Sequence, residues 1–291
     1  MKTLHWMALL VSMAMITSQA QAAPDRIGDF TRIDHEGISH QLSKFAYQNA
    51  VVVIAQANGC SLNQSQLTRY KILRTNWDHL GVSFIMLNAA NDSRESIRQE
   101  ESVFNYDMPI LLDSTQLVPD ALGISKAGEV LILDPVRMTL LFRGPLDAPR
   151  AAGNPGTTDL VDMLQAAVDG NTRDLDTKII EFEAPEDCQI EYPAKQMFSG
   201  ADVPDYETEI APILIERCTG CHVEGGIGPF AMNSHQMIQG WSPMIREVLM
   251  TRRMPPAQVD ENVRSFTNSG NIPIEEVQKL VYWINAGSPR E

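Results

Sequence analysis

The sequence predicts an α/β domain followed by an all-α domain, and three observations carry that expectation. Residues 30–169 alternate short apolar runs rich in β-branched residues with longer stretches of helical periodicity. Residues 171–204 are acidic and are interrupted by Pro185, Pro193 and Pro204. Beyond about residue 205 only helical patterns recur. The expected organisation is a leader over 1–22, an α/β domain over 23–170, a connector over 171–204 and a helical domain over 205–291.

The leader comes first. Lys2, the apolar run from Trp6 to Ile16 and the ending Ala20-Gln21-Ala22 form the pattern of a secretory signal peptide. Its apolar run falls short of the ~20 residues that span a bilayer. The mature chain is therefore expected to begin near Ala23, in an exported, periplasmic and oxidising compartment, with no integral membrane segment.

Within the α/β part, residues 51–54 are a buried strand, and 62–80 a helix with Leu67, Tyr70, Leu73 and Trp77 at helical spacing. Residues 82–87 are a second strand. Asp92 or Ser93 caps a helix that runs through Ser102. Strands at 109–112, 129–133 and 139–142 follow, the last two joined by the turn Asp134-Pro135-Val136-Arg137. A helix over 157–168 ends at Gly170. The order β-α-β-α-β-β-α predicts one sheet with helices on both faces. The connector is expected to hold one strand at 178–182. The later helices are expected at 206–218, 243–250 and 273–286, with Ser242 as an N-cap and Pro243 and Pro273 at first helical positions.

Composition narrows the function. The chain has 291 residues, 44% of them hydrophobic and 21% charged, which is ordinary for a globular protein and gives two domains as the prior. A net charge of −14 repels a phosphate backbone, so nucleic acid is not an expected partner, whereas a basic or neutral redox protein is compatible.

Chemistry concentrates at CTGCH, residues 218–222. Two thiols spaced C-x-x-C can add across the two vinyl groups of a haem, and the adjacent histidine then meets the iron. Zinc would need four ligands, and no second Cys or Cys/His pair follows. A redox dithiol normally follows a buried strand, which this motif does not. The reading is one covalently attached haem c, held by Cys218 and Cys221 and ligated by His222. For the sixth position the chain offers Met232, His235, Met237, Met244, Met250 and Met254. Met237, Met244 and Met250 share apolar helical faces with Ile238, Ile245 and Leu249, which suits core packing. Met254 stands past a helix end and is followed by Pro255-Pro256, which hold it out of the helix, so it is the expected axial ligand. A His/Met pair is used by electron carriers and raises the reduction potential.

The stretches IAPILIERCTGCHVEGGIGPF, RRMPP and EEVQKLVYWINAGSP together resemble the single-haem cytochrome c domain of exported bacterial proteins, which is found joined to redoxin or copper-monooxygenase-like domains. The resemblance implies thioether roles for Cys218 and Cys221, proximal ligation by His222 and distal ligation by Met254. It also implies that the last helix, with Trp283, packs on the helix before CTGCH. No segment corresponds to the copper domain, so a copper oxidoreductase would be a separate redox partner.

VVVIAQANGCSLNQ, PILLD and ALGISKAGEVLILDP resemble the thioredoxin-like redoxin family. The resemblance implies that a strand delivers Cys60 to a helix N-terminus, where the dipole lowers a thiol's pKa. The chain departs from the family's chemistry: Asn63 stands where a second cysteine would, Ser61 replaces proline, Gly128 stands at the cis-proline position and Ala57 replaces a peroxidatic Thr or Ser. Docking or structural use of a retained fold is therefore expected. Cys188 is the remaining cysteine, and either it pairs with Cys60 as a disulfide or both stay free, Cys60 buried and Cys188 exposed. His35, His40, His79 and His235 form no metal-site spacing and are expected at the surface or in packing.

The preferred function is single-electron transfer by an exported cytochrome, with the front domain as a docking module. A thiol-disulfide oxidoreductase using Cys60 coupled to the haem, and a binding or assembly module for a copper redox protein, are the alternatives.

Overall fold

A computed structural model describes residues 26–147 and 159–290. The leader and the first residues of the helix expected from 157 lie outside that range. The sheet is built outward from β3 (Ala50–Gln56), in which every residue is buried. β4 (Val82–Asn88) lies parallel beside it, after a crossover through α1 (Ser61–Trp77). α2 (Arg94–Phe104) leads to β5 (Ile110–Leu112), parallel to β4. Ser93, one of the two expected caps, accepts from the Ser96 N–H at 3.1 Å.

On the other side β6 (Glu129–Asp134) and β7 (Thr139–Pro145) form an antiparallel hairpin that pairs β6 with β3. Its turn forms because the Asp134 carboxylate accepts from the N–H groups of Val136 and Arg137, both at 2.9 Å. A hairpin of β1 (Thr31–Asp34) and β2 (Ser39–Gln41) pairs with β5, and β8 (Lys178–Ile179) adds to β7. The eight strands run β2-β1-β5-β4-β3-β6-β7-β8. The central unit, strand–helix–strand–helix and then a β-hairpin and a helix, with the first two strands parallel and the last two antiparallel, is the thioredoxin-like α/β arrangement that the resemblance implies.

The period-2 alternation of strands splits the core into two faces. Val52, Ile54, Met86, Val130 and Ile132 face α1, α2 and α4 (Asp159–Val168). Val51, Val53, Ala55, Leu87, Leu131 and Leu133 belong to a second cluster. Helices do lie on both faces, but this second face is covered by the short α3 (Leu117–Ala121) together with helices from the far end of the chain.

Those helices are α5 (Pro193–Phe198), a π-helical turn (Tyr206–Ile210) running into α6 (Ala211–Arg217), α7 (His235–Met250) and α8 (Ile274–Asn285). Regular structure after residue 205 is thus helical, with long loops between helices. Trp283 is fully buried, stacks on Tyr206 at 5.8 Å and donates Nε1–H to the Pro289 carbonyl at 2.8 Å. The expected start at Ser242-Pro243 is corrected: the helix begins at His235 behind the N-cap Ser234 and runs through Pro243. Proline there forfeits the bond to the Gln239 carbonyl, and one residue earlier the Ser242 hydroxyl donates back to the Ile238 carbonyl at 3.0 Å.

The two halves are joined by more than the chain. Buried Arg32 pairs with Asp113 at 2.9 Å and donates to the Met250 carbonyl at 2.9 Å. Arg94 meets Asp260 at 2.6 Å, and the Tyr282 hydroxyl donates to Asp120 at 3.0 Å.

Candidate functional site

Residues 218–222 form a tight turn off the end of α6. The Cys218 N–H donates to Leu214, and the N–H groups of Cys221 and His222 both donate to the Cys218 carbonyl, at 3.1 and 3.0 Å. Arg217 locks this corner to α8 by two bonds to the Glu276 carboxylate, at 2.8 and 3.0 Å. Neither thiol is in a disulfide; Cys218 is half-buried and Cys221 exposed. Burial pushes the Cys218 thiol up to about 11.

The chain then folds back over the turn. Gly228 approaches so closely that a Cβ there would sit 2.7 Å from His222 Nδ1, and one on Gly226 would sit 2.5 Å from the Cys221 carbonyl oxygen. This approach brings the Phe230 carbonyl to 3.0 Å from His222 Nδ1. With Nδ1–H donated there, Nε2 is the unprotonated nitrogen and is available as a ligand. Phe230 itself stacks on Trp241 at 4.5 Å. Motif spacing alone does not identify Phe230; the glycine-rich stretch Gly225-Gly226-Ile227-Gly228 after the histidine was the available signal.

α7 ends where Arg252 takes a left-handed backbone, φ 55°. Met254 follows in a loop clasped by Gln258, whose side-chain amide donates to the Met254 and Pro255 carbonyls at 3.0 and 3.1 Å. Asn271 closes the loop's base on Val259 through bonds of 2.8 and 3.1 Å.

These pieces surround one predominantly apolar cavity of about 230 Å³. Cys218, Cys221, His222 and Met254 all line it, with Ile245, Val248 and Leu249 of α7 and Leu280 of α8. Met232 and Met244 also reach it, while Met237, Met250 and His235 do not. His235 lies instead against Tyr206, and its Nε2 is 2.9 Å from the Ser288 carbonyl. Among the described residues no three His, Cys, Asp or Glu side chains converge as a metal-ion site. The sulfur and imidazole groups are instead distributed along the wall of an apolar hollow.

The front half holds the second sulfur pair. Cys60 is the N-cap of α1, and its sulfur accepts from the Asn63 N–H at 3.4 Å. It forms a disulfide with Cys188, the two Cα atoms 4.7 Å apart. Both residues are fully buried, so the alternative of an exposed free Cys188 is corrected. Asn63 is also buried; it donates to the Ala55 carbonyl and accepts from the Ala57 N–H, a packing role in place of a second thiol. Gly128, φ 89°, stands where a Cβ would strike Leu62 at 2.6 Å. His35 is buried with Nδ1 accepting from the Ile110 N–H, His40 bonds Asp34, and His79 is exposed.

No family model matches the chain, and no curated protein matches it. Solved structures that resemble it include a hypothetical protein from Sinorhizobium meliloti, 21% identical over 53% of this chain and 89% of that one, TM-score 0.44. A putative thiol:disulfide interchange protein DsbE from Chlorobium tepidum is 14% identical over 50% of this chain and 96% of that one, TM-score 0.41. The peroxidoxin BcpB from Mycobacterium tuberculosis is 18% identical over 50% of this chain and 95% of that one, TM-score 0.39.

Proposed function

We propose that this chain is an exported single-electron carrier that holds one covalent haem c between residue 205 and its C-terminus. The observation that carries the reading is the apolar cavity whose wall contains both thiols of C-x-x-C-H, the histidine and Met254. Cys218 and Cys221 would hold the group by thioether bonds, and His222 and Met254 would be the residues that ligate its iron. A bound haem supplies a one-electron iron couple. The chain's own contribution is to orient the imidazole through the Phe230 carbonyl, to exclude water with Ile245, Val248, Leu249 and Leu280, and to keep the Met254 loop in place through Gln258 and Asn271.

Ile227 and Met244 line the cavity and are also exposed, 91% and 47%, so the rim presents apolar surface where a partner can approach. The net charge of −14 favours a basic or neutral redox protein there; a copper oxidoreductase is the partner class the resemblance implies. The Cys60–Cys188 disulfide agrees with an oxidising compartment, and among the described residues no helix is long and apolar enough to cross a membrane. A thiol-redox function of the front half would draw on the same disulfide, but its two sulfurs are enclosed and Asn63 replaces a nearby resolving thiol.

The test is the visible spectrum of protein matured with haem-attachment machinery. Sharp low-spin bands on reduction, with colour retained by the protein after acid extraction, are expected. A colourless protein, or colour lost on extraction, refutes the proposal.

A further inference from the structure

Between the front half and the loop that carries Met254 lies a second cavity, of about 520 Å³. Its size and its place between two packed units are those of a small-molecule site. Leu112 and Thr115 line it from the front half, and Arg252, Ile272 and Val277 line it from beyond residue 205. Leu249 and Met254 belong to the walls of both this cavity and the one around CTGCH, whereas Arg252 and the front-half residues line only this one of the two.

The arginines at this junction are matched with one exception. Arg32, which also lines the cavity, is bound to Asp113, to the Thr115 hydroxyl and to the Met250 carbonyl. Arg94 has Asp260. Arg252 is half-buried, and its guanidinium donates only to neutral acceptors, Gln258 Oε1 at 3.1 Å and the Val259 carbonyl at 3.4 Å. Among the described residues no carboxylate pairs with it, although the chain holds 37 acidic side chains against 23 basic ones. Taking a cation out of water without a counter-charge is costly, and most of the guanidinium's planar fork of N–H donors is left for another partner.

We propose that this cavity binds a small organic monocarboxylate with an apolar body, the carboxylate held by Arg252 and the body laid on Leu112, Leu249, Ile272 and Val277. Guanidinium and carboxylate match in plane and in charge. A single uncompensated cation, with the carboxylates of Asp113 and the exposed Glu261 on the same wall, favours one negative charge over the two of a phosphate or a dicarboxylate. The aliphatic part of the wall gains by covering hydrocarbon, which an inorganic anion does not bring. Such a ligand would touch both halves of the molecule and Met254. The inference does not depend on the haem reading, because its cation lies outside the cavity around CTGCH.

Equilibrium dialysis of the full mature chain against radiolabelled octanoate tests the proposal, with octanol and octylammonium as competitors of equal length. Octanoate should bind saturably, and both competitors should displace it at least about tenfold less well, the difference made by one charge-assisted bond. Arg252→Gln should weaken octanoate binding by at least the same factor while thermal unfolding stays cooperative. Glu261→Gln, a change at an exposed position, should tighten binding about threefold by removing a like charge that acts through water. Absence of saturable binding, equal displacement by octanol, or full affinity in Arg252→Gln would leave only an apolar hollow. Weaker or unchanged binding by Glu261→Gln would remove the charge argument. Octanoate taken up solely by chain prepared without haem-attachment machinery would lie in the cavity around CTGCH. Each of these results overturns the proposal.

Discussion

His222 illustrates how a single hydrogen bond selects the chemistry of a residue. Its Nδ1 faces the Phe230 carbonyl, which leaves Nε2 as the nitrogen that would ligate a metal, and Gly228 lies so close that a Cβ there would sit 2.7 Å from Nδ1. Met254 also lines the cavity and is itself 39% exposed, in the loop after α7. On the proposed haem reading, replacing Met254 with Ala should leave the cofactor attached, abolish a methionine-to-iron charge-transfer band in the red and lower the reduction potential. If that band survives in Met254→Ala and is lost in Met244→Ala, the ligand is Met244, the other exposed methionine of the cavity.

At the scale of elements, α7 bears the most informative departure from the sequence pattern. Ser-Pro is a good helix start in isolation, yet Ser234 captures that role by accepting from the Met237 N–H, and the apolar stripe Ile238, Ile245 and Leu249 carries the helix across Pro243. Pro243 is exposed, so Pro243→Ala removes no packing and restores an intrahelical donor. It should stabilise the chain by about 1 kcal/mol, a helix gain reduced by the looser unfolded state. A lower melting temperature would show that the proline shapes α7 in a way its neighbours need. The central strands were legible because runs such as 51–54, and 82–87 but for the half-buried Ser83, are buried on both faces and apolar. β1 was not, since Arg32 and Asp34 are buried there through pairing with Asp113 and His40, partners far from β1 or on another strand. The short α3 and α5 offer too few turns for a period to emerge. The same contrast holds at the candidate sites: CTGCH and the RMPP loop announce themselves by spacing, whereas the Cys60–Cys188 pairing depends on a fold-back of 128 residues that no local pattern encodes.

For the molecule as a whole, the helices after residue 205 complete the second face of the sheet instead of forming an isolated core. One contiguous apolar cluster runs from Val51 and Leu131 to Trp283 and Ile245, and the buried Arg32–Asp113 pair is bonded to the end of α7. Calorimetry should therefore give one unfolding transition with equal calorimetric and van't Hoff enthalpies. Two separated transitions would mean that this shared cluster does not couple the halves. Such a body would hold the cavity around CTGCH in a fixed place relative to the sheet while leaving its rim, Ile227 and Met244, open to a partner. The most direct test of the central claim is mass spectrometry of the mature protein, digested after denaturing alkylation. The account predicts that the peptide containing residues 218–222 carries the mass of one haem and that Cys218 and Cys221 both resist alkylation. The same peptide bearing two alkyl groups and no haem would contradict it.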